Sequence, residues 1–171
     1  MLFSSHSSLP APFSTVVTAK PFQRQDRKRP ALKLSDGNWL LLASLGPYVI
    51  SETDAQFVGH WHEIQRAKWD GETQTLSIHW VDPARQAAVF EAEAEDPQSL
   101  MMSFEEYVEY AVVTTGQRQT HSGTIITASI RRRPDGELFS ALVVDGSLDE
   151  EGEQLAHDLE SKLRESVGLD Y

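Results

Sequence analysis

His60 and His62 flank Trp61, and His79 lies on the next apolar stretch. If this segment is extended, residues two apart share a face at about 6.6 Å between Cα atoms. Imidazoles at that spacing can ligate one divalent ion, and a cross-strand His79 or the nearby Glu63 would complete a site for metal-assisted hydrolysis. The plainer reading is three hydrogen-bonded histidines, and a third is a pH-sensitive patch. Arg131-Arg132-Arg133 is the one basic cluster of the body. Strand alternation sends Arg131 and Arg133 to one face, a pair suited to a phosphorylated headgroup or peptide; the plainer reading is a solvated hairpin end. Glu91, Glu93 and Glu95 alternate on one strand face, and Glu105, Glu106 and Glu109 add an acidic helix flank, which a basic protein partner would match.

Catalytic signatures are missing. The chain has no phosphate loop, no G-x-G-x-x-G, no G-x-S-x-G and no EF-hand loop. His62-Glu63 is followed by Arg66 where an H-E-x-x-H motif needs histidine. With no cysteine, thiol catalysis, disulfides and cysteine–zinc sites are excluded. These observations point to a protein that is not an enzyme and needs no cofactor.

The positioning elements follow from periodicity. In residues 56–81, Trp61, Ile64, Ala67 and Trp69 precede an Asp70-Gly71 turn, after which Leu76, Ile78 and Trp80 alternate with polar residues: an antiparallel hairpin with one buried face. Three of the four tryptophans lie here, so this stretch is expected to organise the core. Upstream, strands are expected from Ala31, over Trp39–Ser44, at Tyr48–Ile50 and at Gln56–His60; downstream, over Ala87–Ala94. Asp96-Pro97 reads as a helix start, and Leu100, Phe104, Tyr107, Val108 and Ala111 recur at helical spacing. Val112–Gln119, Thr124–Arg132 and Glu137–Val144 are three further strands. A final helix has a Ser147/Glu150 capping pair and its stop at Gly168. Antiparallel strands with segregated helices make an α+β fold.

Charge divides the chain. The net charge is −11, yet residues 1–33 carry +5 and the rest −16. An acidic body repels phosphate backbones, so no nucleic-acid partner is expected. Residues 1–30 read as a flexible basic arm, since 1–22 show no apolar periodicity; their deletion should then leave stability unchanged. No apolar run is long enough to span a bilayer, and the N-terminus makes a poor signal peptide, so a cytoplasmic protein is expected.

Seven short strands capped by a helix is the element order of a pleckstrin-homology-like antiparallel β-barrel. The run Trp39-Leu40-Leu41-Leu42-Ala43, then Tyr48-Val49-Ile50, then Trp61-x-Glu63-Ile64-x-x-Ala67-x-Trp69-Asp70, then Leu76-x-Ile78, resembles the bacterial version of that fold. More narrowly, it is similar to a family of uncharacterised actinobacterial proteins of this length. The resemblance implies a barrel over residues 31–112, extended at 113–171 by a smaller β-meander and C-terminal helix packed on it, and it implies no catalytic residues. The function expected is a binding or protein-interaction module, with a protein partner or self-association through the flank of the Ala87–Ala94 strand and the following helix. Glu91, Glu93, Arg131 and Arg133 are its candidate contacts. The alternatives are a small-molecule or lipid-headgroup binder at the barrel mouth, and a metal-dependent hydrolase using His60, His62 and His79.

Overall fold

A computed structural model describes residues 8–94 and 96–170. Its chain is α+β, with three antiparallel sheets. It divides into two compact units: the described residues through Trp80 with Gln86–Val108, and Val81–Arg85 with the chain from Glu109.

In the first unit a one-turn helix α1 (Phe13–Val16) and a 3-10 turn (Arg24–Lys28) precede β1 (Ala31–Lys33), β2 (Trp39–Leu42), β3 (Pro47–Ile50) and β4 (Ala55–Phe57), which form a sheet in that order. A second sheet holds β5 (Ile64–Asp70), β6 (Thr75–Trp80) and β7 (Ala88–Glu91). Helix α2 (Gln98–Ala111) follows, belonging to this unit through Val108, and Asp96 Oδ1 accepts from its Gln98 N–H at 3.1 Å, where the Asp-Pro signal places the helix start. The expected strands are thus present. Among the described residues a closed barrel is not: these two sheets meet at one bridge, Leu34–Ala92, and no ladder joins β4 to β5. The physical reason lies between them, where β4 has only three residues and the chain then turns through a 3-10 segment, Trp61–Glu63.

The N-terminal segment, expected to be a flexible arm, packs on the first sheet over its described residues. Leu9 and Val17 are buried against Ala31, Leu41, Ala43, Tyr48 and Ile50, with Phe13, Val16 and Phe22 packed around them. Phe22 lies 4.7 Å from Tyr48 between ring centroids. The segment is the outer cover of the first sheet. Deleting residues 1–22 should therefore cost about 2 kcal/mol or more, the worth of one well-buried aliphatic side chain. An unchanged urea midpoint would contradict this packing.

In the second unit β8 (Val112–Gln119), β9 (Ile125–Arg132) and β10 (Leu138–Asp145) form a sheet with β9 central. Helix α3 (Glu150–Ser166) lays Ala156 and Leu159 on Ile126 and Ala128, flanked by Leu142, Leu148, Leu155 and Leu163. Gly116 makes this approach possible, since a Cβ there would sit 3.0 Å from a Leu159 methyl. The α3 start differs from expectation: Asp149, not Ser147, is the cap, accepting from Gly152 N–H at 2.8 Å. A carboxylate at a helix N-terminus also gains from the backbone dipole. Gly168 has φ +73°, the left-handed stop foreseen. Among the described residues no helix is long and apolar enough to cross a membrane.

Candidate functional site

His60 and His62 do not lie on a strand. His60 precedes the 3-10 turn, whose Glu63 accepts from His60 N–H through Oε2 at 2.8 Å. The two imidazoles stack, with centroids 5.0 Å apart and planes 16° from parallel, and the Phe57 ring meets His60 edge-on at 4.7 Å. Metal ligation needs nitrogen lone pairs that converge within the ring planes; stacking sets the rings face to face instead. Among the described residues no group of three or more His, Asp or Glu could hold a metal ion. His79 is on β6 opposite Arg66.

Trp61, between the histidines, is core. It is 7% exposed, donates Nε1–H to Ala43 O at 2.8 Å, and meets the rings of Phe104 and Tyr107 at 5.1 and 5.2 Å. Beside it lies a network that motif reading missed. Asp26, 1% exposed, accepts from Ser44 N–H (2.8 Å), Ser44 Oγ–H (2.6 Å) and Gln23 N–H (2.7 Å). Arg29 Nε lies 3.3 Å from its carboxylate, and the Arg29 guanidinium sits 4.8 Å over the Tyr107 ring. Burial, reinforced by the Asp26 charge, raises the Tyr48 hydroxyl above its ordinary pKa. The sequence signal was Gln23-x-x-Asp26, spaced as a capping box, with Asp26 the lone acid of a basic linker. Its role is to fasten the N-terminal segment to the end of β2. Asp26→Ala should cost about 2–3 kcal/mol, because it orphans buried N–H groups; a loss under about 0.5 kcal/mol in urea unfolding would contradict that role.

The two arginines separate in exposure. Arg131 is 5% exposed and donates Nε–H to Ser129 Oγ at 3.0 Å, and burial pulls its guanidinium below the usual value. Arg133 is exposed and lies 4.6 Å over the Phe139 ring. Only one of the expected pair is presented at the surface. Glu91 and Glu93 are exposed, but Glu93 pairs with Lys33 at 3.0 Å. The β7 end is not an open edge either: Ser35 N–H donates to Glu91 O, and Glu93 N–H to Lys33 O. Glu95 lies outside the described residues.

Helix α2 carries the other acidic flank. Leu100, Phe104 and Val108 are buried, and the opposite face presents Glu105, Glu106 and Glu109. Within that face Met102 is 64% and Tyr110 81% exposed. At 100° per residue Met102, Glu106 and Tyr110 fall side by side, with Glu109 and Glu105 beyond Met102. The spacing of the buried positions makes this face legible in the sequence; the two apolar residues within it carry no periodic signal of their own.

The second unit holds a cavity of about 410 Å³ between the 119–121 segment and the start of α3, lined by Asp149, Glu151, Gln154 and Asp158, with Leu155 beneath. His121 Nε2 lies 3.5 Å from Glu151 Oε1, both well exposed. The chain matches no protein-family model and no curated protein.

Proposed function

We propose that this protein is a cytoplasmic, non-enzymatic interaction module whose α2 face engages a basic partner protein. The observation that carries this reading is the pair Met102 and Tyr110, large apolar side chains left exposed on the same helix face as three glutamates. Exposed aromatics and methionines anchor interfaces, and surrounding charge selects the partner and speeds encounter. A net charge of −11 favours a cationic partner over a second copy presenting the same face. For the first unit we favour a pleckstrin-homology-like assignment, supported by seven short strands in four-plus-three sheets followed by a helix. The headgroup alternative needs an accessible Arg131, and that side chain is buried. The hydrolase alternative needs convergent histidines, and His60 and His62 stack.

The test is titration with a short synthetic Lys/Leu amphipathic peptide. Association should weaken as salt rises, because exposed charges are screened over about 8–10 Å near physiological ionic strength. Glu105→Lys, Glu106→Lys and Glu109→Lys together should abolish it, whereas Glu91→Lys with Glu93→Lys should have little effect. Unchanged binding by the α2 triple variant would reject this surface.

A further inference from the structure

The open edge of the second sheet is β5, and it carries the opposite charge. Arg66 and Lys68 are exposed on one face of this strand, opposite His79 and Ser77 of β6. Neither cation forms an ion pair among the described residues. The nearest acid along the strand, Asp70, turns its Oδ1 into its own turn, accepting from Glu72 N–H at 2.9 Å and Thr73 N–H at 3.3 Å. In a chain of net charge −11, two exposed cations two residues apart on an edge strand, without an ion pair and with only the longer-range charge of Asp70 near Lys68, are a specific feature.

The backbone on that side is also unpaired. β5 is terminal in its sheet, and residues 65–70 make no backbone hydrogen bond to a strand on their outer side among the described residues. Glu91 directs its carbonyl to Ser35, away from β6. Through the registers Glu91–Thr75, Val89–Ser77 and Ser77–Lys68, strand alternation turns the amide groups of Lys68 toward β6 and those of Ala67 and Trp69 outward.

We propose that the β5 edge is a docking site for an extended acidic segment of a partner protein, added as a further antiparallel strand. A strand laid beside β5 presents alternate residues on the Arg66/Lys68 face at the same two-residue period. Acidic residues at alternate positions therefore meet both cations, while Ala67 and Trp69 supply the outward backbone bonds. Lysine and arginine on an edge strand ordinarily discourage pairing. Here they reject neutral and basic strands and leave an acidic one favoured, since opposite charges directly across a ladder stabilise it and like charges do the reverse. This surface is separate from the α2 face and does not rest on it.

Fluorescence anisotropy with a labelled peptide of alternating Glu and Thr/Val tests the proposal at low salt, with two controls: the same composition with its glutamates contiguous, and a Lys-for-Glu version. The alternating peptide should bind, and the lysine version should not. Arg66→Glu with Lys68→Glu should weaken binding about tenfold or more, the loss of two cross-strand pairs and the gain of repulsion. Ala67→Pro removes an outward N–H without touching the β5–β6 ladder, and should weaken it comparably. The contiguous peptide should bind several-fold less. Equal binding of alternating and contiguous peptides, with Ala67→Pro silent, would mean a diffuse ion atmosphere and overturn the proposal. So would displacement of the peptide by millimolar inorganic phosphate with Ala67→Pro silent, or no binding at all. The charge reversals are on exposed side chains, so the arginine–lysine test stands even if the proline variant misfolds.

Discussion

Trp61→Ala should destabilise the first unit by about 3–5 kcal/mol, the range for truncating a buried aromatic. The indole is nearly fully buried, packs on Phe104 and Tyr107, and spends its only donor on Ala43 O. It thereby ties α2 to the end of β2. Trp61→Phe keeps most of the ring area but orphans that carbonyl, and should cost less, about 1–3 kcal/mol. Urea unfolding followed by circular dichroism separates the two. A loss below about 1 kcal/mol for the alanine variant would mean the indole is not part of the core.

Gly46→Ala should be at least as damaging. A Cβ on Gly46 would lie 1.8 Å from Gly59 O and 2.9 Å from Gly59 C. Both are backbone atoms, so no side-chain rotamer can relieve the clash. The backbone there has φ +156°, which also disfavours a side chain. We expect a loss of about 4 kcal/mol or more, in the exceptional class of single substitutions. Gly136 is the control: it too has a positive φ, +88°, but a Cβ there meets nothing within 4 Å. Gly136→Ala should cost only about 1–2 kcal/mol, the left-handed backbone penalty alone. Equal effects at the two positions would show that contact with Gly59 is not what fixes Gly46.

Much of the fold was legible because its signals are local. Alternation placed β6, burying Leu76, Ile78 and Trp80, and helical spacing placed α2. What failed was non-local. The run Leu40-Leu41-Leu42 is buried throughout and does not alternate, so both faces of β2 need cover. That pattern already demanded a second layer, and residues 8–22 supply it with Leu9, Phe13, Val17 and Phe22. Their spacing follows the sheet they cover rather than a helix or strand period, so no periodicity marks them. The histidines misled for a related reason. Extended geometry was assumed at 60–62, whereas the Glu63 carboxylate reaching back to His60 N–H winds the chain into a 3-10 turn. Arg131 looked accessible because a hairpin end usually is; its burial depends on packing that sequence spacing does not encode.

On the reading proposed above, the Met102–Tyr110 face of α2 takes a basic partner. The most direct measurement is the methyl NMR spectrum of ¹³C-methionine-labelled protein during titration with the Lys/Leu peptide. The Met102 resonance should shift progressively and return as salt is added, while that of Met101, which is half-buried, moves little. A Met102 signal that stays fixed while the peptide demonstrably binds would contradict the claim.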